Sequence, residues 1–330
     1  MHTLTRRQTI GLLGIGLGAG PVGSRRLWAQ TITRLSIATS TTGGVYYPFG
    51  GAFAALISKH LPGVEATAEV TAGTVDNLKL LHAGRVALAF TMTDTAWDAK
   101  EGKLRGLREK VAVRALASMY TNYLHVVTLE GKGIRSMADL KGKRVSTGAP
   151  GSGTEVQGLR VLEAYGITPK DLAALDRLSP AESAGALKDR KLDAFTWSGG
   201  LPTAAILDLA ATPAIHIRLL AHADALPKMV ARYGPLYTLG VIPKSTYKGV
   251  EADVPVATVK NLLVAHERMQ ELLAYQITRL LFERLAELAS VHRVAREIHL
   301  PSTALGSPIP FHPGALRYYN EKGVKVEQHP

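Results

Sequence analysis

The chain has 330 residues, of which 46% are apolar, 20% charged and 6% aromatic; that is enough for a real core and two domains, and it excludes a disordered or low-complexity protein. There is no cysteine, which excludes disulfides, thiolate metal sites, a thiol nucleophile and lipid attachment through a cysteine. The formal charge of +12 favours anionic partners, but the bases are scattered rather than interleaved with aromatics, which argues against nucleic acid.

Residues 1–29 read as an export signal rather than as part of the fold. Arg6 and Arg7 form a basic start, residues 10–20 are a short apolar run, and Leu27-Trp28-Ala29 offers a small residue before a cut. Thr5-Arg6-Arg7-Gln8-Thr9-Ile10 resembles a twin-arginine signal, with an ordinary secretory signal as the alternative. Removing this segment takes away four arginines and no acid, so the formal charge falls from +12 to +8. No later apolar run is long enough to span a bilayer, so the expected mature protein is soluble, periplasmic and monomeric.

From Arg34 onward strand and helix patterns alternate, the signature of an α/β fold with largely parallel strands. Residues 35–39 read as a strand, and 48–60 as an amphipathic helix that buries Phe49, Phe53, Leu56 and Ile57. A strand at 64–70, a helix at 74–83 ended by Gly84 and a strand at 86–92 follow, then a helix from Thr93. Two strands, 111–120 and 124–129, flank a crossing between domains near 121–128. Strands at 144–147, 174–178, 192–197 and 215–219 then alternate with helices at 154–165, 181–190, after Pro202 and at 223–233. Residues 237–243 are a candidate return crossing, 254–265 a strand that rejoins the first sheet, and 269–289 the longest helical pattern. The expected organisation is domain I over 30–122 plus 240–330 and domain II over 123–239, with two hinge crossings that suit closure around a small ligand.

Two loops carry the functional signal. Thr42-Gly43-Gly44-Val45-Tyr46-Tyr47-Pro48 and Gly148-Ala149-Pro150-Gly151-Ser152-Gly153-Thr154 each open a helix, one in each expected domain. A glycine-rich loop entering a helix presents unpaired N–H groups and a partial positive charge, which suits an anion. The second loop has nearly the glycine spacing of a nucleotide-hydrolase phosphate loop, but Thr154 and Glu155 stand where the lysine is required. Nucleotide hydrolysis is therefore disfavoured, and the loop is sized for something like one carboxylate. Ser152 does not lie in a Gly-x-Ser-x-Gly elbow, and the histidines show no metal-binding spacing, so no metal and no cofactor are expected.

Ser40, Thr41, Tyr46 and Tyr47 offer hydroxyls, with Tyr46 favoured as the ligand-facing ring. Asn77 can bond a ligand or decorate its own helix turn, Thr93 or Asp94 can cap a helix, and Ser152 or Thr154 can do the same. Trp197, just before Ser198-Gly199-Gly200-Leu201-Pro202, is either a cleft wall or core.

Together these segments resemble the TAXI family, the extracytoplasmic solute receptors of TRAP transporters, over about residues 35–323. The resemblance rests on the Thr42–Pro48 and Gly148–Thr154 loops, on Glu69-Val70-Thr71-Ala72-Gly73-Thr74-Val75-Asp76-Asn77-Leu78 and on Ala194-Phe195-Thr196-Trp197-Ser198-Gly199-Gly200-Leu201-Pro202. Pro308-Ile309-Pro310-Phe311-His312-Pro313-Gly314-Ala315 completes it. It implies a type II-like two-domain periplasmic binding fold, not an enzyme, that hands an organic acid or acidic amino acid to an ion-gradient-driven TRAP permease without ATP. By similarity the ligand residues fall on Ser40, Thr42, Gly43, Tyr46, Thr71, Gly73, Asn77, Thr93, Asp94, Gly151, Ser152, Gly153, Thr154, Trp197 and Gly199. Relatives often read Gly-Gly-Ser-x-Glu-Asn where this chain has Ala72-Gly73-Thr74-Val75-Asp76-Asn77, and often place Ser where Thr93 stands. These loops hold no lysine or arginine, so helix N-termini and hydroxyls are expected to hold a carboxylate, with Asp94 or Asp76 available for an ammonium. The alternatives are a transferase or hydrolase on a similar scaffold, which lacks a nucleophile–base pair here, and the binding component of a sensor or ABC importer.

Overall fold

The computed structural model describes residues 32–326, so the export signal read at 1–29 lies outside the described residues. β1 (Thr33–Ala38) runs parallel to β2 (Val64–Glu69) and β3 (Leu88–Met92). The connections are α1 (Tyr46–His60) and α2 (Thr74–His82), and α3 (Thr93–Lys100) follows β3 without a loop. α1 starts two residues earlier than its apolar spacing predicts and buries the expected Phe49, Phe53, Leu56 and Ile57.

The two strands expected at 111–120 and 124–129 are one 17-residue strand, β4 (Val113–Leu129). The polar stretch Thr121-Asn122-Tyr123 that suggested a break keeps its ladder, because these residues pair with Lys260, Val259 and Thr258 of β10 (Val254–His266). Between them lie β5 (Arg144–Ser146), α4 (Gly153–Ala164), β6 (Ala174–Asp176), α5 (Pro180–Lys188) and β7 (Ala194–Gly199). Next come α6 (Ala204–Ala211), β8 (Ile217–Leu219), α7 (Leu226–Tyr233) and β9 (Thr238–Ile242). After β10 come α8 (Glu271–Glu283), α9 (Leu285–Val291), α10 (Leu300–Thr303) and α11 (Pro313–Glu321). The single long helix expected at 269–289 is thus two helices, interrupted at Arg284, where ψ is 19°. α11 has too polar a pattern to read from sequence; it is pinned by Tyr318 and Tyr319 against Phe282 of α8.

The strands form one ten-stranded sheet in the order β2-β1-β3-β10-β4-β7-β5-β6, with β8 on β4 and β9 on β10. The expectation of mostly parallel sheets needs correction at the centre. β5 is parallel to β6 and β7, but β10 is antiparallel to β3, β4 and β9, and β4 is antiparallel to β7 and β8. The cause is topological: one central strand leaves the first lobe and the other returns, so the two run in opposite directions side by side.

The apolar core divides accordingly. Residues from 35–120 and 262–319 build one cluster around Ile37, Phe53, Leu78 and Leu263. Residues from 124–259, joined by Met92, build two smaller ones around Val126, Val161, Phe195 and Ile206. The change-over falls inside β4 between Tyr120 and Leu124 and inside β10 between Val259 and Leu262. β10 shifts register between Lys260 and Leu262, a bulge that bends the strand at the change-over. The result is two α/β lobes joined by a pair of through-running strands.

Candidate functional site

β1, β2 and β5 each end in a loop that enters a helix, so the N-termini of α1, α2 and α4 lie beyond the carboxyl ends of sheet strands, where α/β folds place their ligands. These three starts, two from the first lobe and one from the second, converge on a narrow pocket between the lobes. Its wall includes the expected Ser40, Tyr46, Gly73, Ser152, Gly153, Thr154, Trp197 and Gly199. Thr41, Thr74, Met92, Tyr120, Asn122 and Ser198 share it, with Val45, Ala72, Ala149 and Pro180 as apolar surface. No residue of the wall carries a formal charge.

The wall is rich in donors that lack acceptors. Thr74 Oγ1 and Tyr120 Oη have no hydrogen-bond partner, although their residues are only 1% and 0% exposed. Among the described residues, no acceptor takes the backbone N–H of Val45, Tyr46, Thr74, Gly153 or Thr154. Burial pushes the Tyr46 and Tyr120 hydroxyls above the usual tyrosine range, so both remain protonated donors. Tyr46 Oη donates to Asn261 Oδ1, while Asn261 Nδ2 donates to Tyr120 O at 3.0 Å and Asn122 Oδ1 at 2.7 Å. Asn261 sits at the β10 bulge, so this network ties the pocket to the change-over between lobes.

The lobes touch around the pocket. Gly151 O accepts from Val75 N at 3.0 Å and Asp76 N at 3.1 Å, so the second lobe's loop caps α2 of the first. Gly151 is therefore a bridge outside the wall, and it occupies two of the N–H groups expected to face a ligand. A Cβ on Gly153 would lie 2.6 Å from Met92 Sδ and 2.8 Å from Thr74 Oγ1, so a larger residue would force those side chains of the facing lobe to shift. Glu155, whose charge argued against a polyphosphate, is buried and paired with Arg105 at 2.8 Å and Arg177 at 3.0 Å.

Thr42, Gly43, Thr71, Asn77, Thr93 and Asp94 also lie outside the wall. Asn77 Nδ2 donates to Thr39 O at 2.7 Å and Phe90 O at 2.8 Å, and its Oδ1 accepts from Thr71 Oγ1 at 2.6 Å. These bonds fasten the end of β1 and the middle of β3 to the loop before α2, so Asn77 and Thr71 position the site. Gly43 packs against Pro180 and Ala181 of the second lobe. Asp94 Oδ1 accepts from Thr95 N at 2.7 Å; its Oδ2 accepts from Tyr237 Oη at 2.7 Å and Gln157 Nε2 at 3.2 Å. Ser152 Oγ accepts from Glu155 N at 3.1 Å, the helix cap foreseen as its alternative, and Thr154 Oγ1 accepts from Ser198 N at 3.2 Å. Each hydroxyl keeps its proton for an acceptor in the pocket. Trp197 satisfies both of its readings: its Nε1 donates to Thr203 Oγ1 at 2.8 Å within the core, and its ring faces the pocket beside Gly44.

The sequence profile of the NMT1-like family matches residues 37–323, most of the chain. The chain belongs to the NMT1-like family. A solved structure from Bordetella bronchiseptica RB50 is similar to it with a TM-score of 0.51 at 15% identity, over 90% of this chain and 91% of that one. The periplasmic aliphatic sulphonate binding protein SsuA from Escherichia coli gives 0.45 at 15% identity, over 88% and 83%. An ancestral arginine-binding protein bound to arginine gives 0.49 at 15% identity, over 81% and 99%. At such identity the likeness concerns the fold, an α/β pair of lobes.

Sequence reasoning missed three wall residues of this NMT1-like protein, Tyr120, Asn122 and Met92, whereas Thr74 lies in the Thr71–Asn77 loop that the resemblance marked. The one available signal was Tyr120-Thr121-Asn122, a polar stretch inside an otherwise apolar strand, at the point where the strand passes between lobes. Among the described residues there is no cluster of metal-binding side chains, and no helix is long and apolar enough to cross a membrane.

Proposed function

We propose that this protein is an exported solute receptor that closes its lobes around a small carboxylate-bearing metabolite and delivers it, untransformed, to a membrane permease. The observation that carries the reading is the set of buried donors without acceptors around a pocket with no cation. An unsatisfied buried donor costs ~1–3 kcal/mol, and two hydroxyls and several N–H groups share this condition here. The oxygens of an anion would satisfy them together, and the α1, α2 and α4 N-termini would add ~0.3–1 kcal/mol each toward negative charge. A hydroxyl nucleophile would need a base, and no histidine or carboxylate lies on the wall beside Ser40, Ser152 or Ser198.

The lobes would open about the paired β4 and β10 strands, whose bulge at Lys260 to Leu262 gives the bend a place to occur. The resemblance of the glycine loops to TAXI receptors supports the periplasm as the location and an ion-gradient-driven TRAP permease as the recipient. Native mass spectrometry of the purified protein tests the central claim: the expected adduct is a small organic acid that leaves unchanged on denaturation. A cationic or neutral occupant, or a chemically altered product after incubation, would sink it.

A further inference from the structure

We infer that the solute is a monocarboxylate with an apolar remainder and no amino group, an inference that rests on the receptor reading above. An amino acid brings an ammonium as well as a carboxylate, and burying an unpaired ammonium costs far more than a few hydrogen bonds return. The wall supplies no carboxylate to pair with it. The two acids nearest by sequence are already committed or displaced. Asp94 is fully buried, with both oxygens taken by Thr95, Gln157 and Tyr237 and with Arg160 3.6 Å away. Asp76 lies outside the wall, on the first turn of α2 behind the Gly151 bridge.

The same wall offers no arginine, lysine or histidine, so a second carboxylate would be buried with no full positive charge to pair with, held by dipoles alone. What faces the rest of the solute is apolar: Val45, Met92, Pro180 and the Trp197 ring, with the methyls of Ala72 and Ala149. A short, uncharged, apolar body fits that surface, and its transfer from water contributes ~25 cal/mol per Å² covered. The orphan Tyr120 hydroxyl and Thr74 hydroxyl mark where the carboxylate oxygens lie.

Calorimetric titration of the mature protein with four matched probes tests this: isovalerate, 2-oxoisovalerate, valine and glutarate. The first two are expected to bind, with valine and glutarate at least 100-fold weaker, and Tyr120→Phe is expected to weaken the bound acids about tenfold. Valine or glutarate binding as tightly as isovalerate, with the same sensitivity to Tyr120→Phe, would overturn this inference and leave the receptor reading standing. Absence of binding by isovalerate and 2-oxoisovalerate, or binding indifferent to Tyr120→Phe, would overturn this inference too, and the receptor reading falls with it only if the occupant seen by native mass spectrometry is not an organic acid.

Discussion

Tyr237 of the second lobe donates its hydroxyl to the buried Asp94 carboxylate of the first at 2.7 Å, closing a polar clamp across the cleft. Arg160 completes the clamp, donating to Tyr237 Oη at 2.8 Å and to Asp98 at 2.5 Å. Burial opposes both charges: it lifts the Asp98 carboxyl above the usual carboxylate range. Arg160, desolvated too, is held charged by Tyr237, Asp94 and Asp98 and stays above its ordinary value. Such a pair is not evidence of net stability, but removing one member leaves the other buried and uncompensated, at ~3–5 kcal/mol. Because the clamp joins lobes, opening relieves that cost. Arg160→Ala is expected to enlarge the radius of gyration in solution scattering and to weaken solute binding at least tenfold. Scattering and affinity both unchanged would show that the clamp does not hold the closed form.

The orphan hydroxyls predict opposite effects on stability and on binding. Tyr120→Phe and Thr74→Val each remove a buried donor that has no partner in the protein, so the solute-free form should be unchanged or stabilised, by up to ~1–3 kcal/mol. A charge-assisted hydrogen bond to an anion contributes ~1.5–3 kcal/mol, so affinity should fall by about 10-fold to 150-fold per substitution. Denaturant titration of the free protein beside calorimetry separates the two. Loss of stability with affinity retained would mean that these hydroxyls serve the fold.

The strand–helix alternation and the helix starts behind the glycine loops were legible because each depends on local pattern: alternation, helical spacing, and glycine before a helix start. The central sheet was not, since the direction of β4 and β10 is decided by pairing between residues such as Thr258 and Tyr123, far apart in sequence. The same distinction divides the site. Tyr46, Ser152 and Gly153 stand on the loops that sequence marks, whereas Tyr120 and Asn122 come from the strand that passes beneath them. Asn77 and Asp94 had the chemistry of ligand contacts, and only their partners show that Asn77 joins β1 and β3 while Asp94 bonds across the lobes.

Gly153 makes closure sensitive to a single methyl. Its backbone is helical, so alanine there costs no conformational strain. The added Cβ would meet Met92 and Thr74 of the facing lobe at less than contact distance. Gly153→Ala should therefore leave thermal stability intact while shifting the protein toward an open form that binds solute more weakly. Equal affinities of the two proteins would show that the lobes need not approach this closely.

Two buried histidines, one on β4 and one beside β10, weaken the fold in mild acid. Burial pushes His125 and His222 each down to about 4, below the ordinary 6.5. The geometry agrees: His222 Nδ1 faces Leu220 O at 3.0 Å, so Nε2, 3.2 Å from Ala257 N, is the acceptor of the neutral ring. His125 is arranged alike, with Tyr123 O at 2.9 Å from Nδ1 and the Tyr247 hydroxyl at 3.0 Å from Nε2. A proton on His222 Nε2 would confront the Ala257 N–H already in place, and one on His125 Nε2 would require the Tyr247 hydroxyl to turn from donor to acceptor. Above pH 6.5 both rings are neutral folded and unfolded, and they add no pH dependence. As pH falls from 6.5 toward 4 the unfolded chain takes up protons that the native rings refuse, so stability declines by ~1.4 kcal/mol per pH unit for each histidine. Below pH 4 the native rings protonate as well and the decline levels off. Urea unfolding at pH 7.5, 6 and 5 is expected to show this slope, and His222→Gln or His125→Gln each to reduce it by up to ~1.4 kcal/mol per pH unit; an unaltered slope in both variants would remove these rings as its cause.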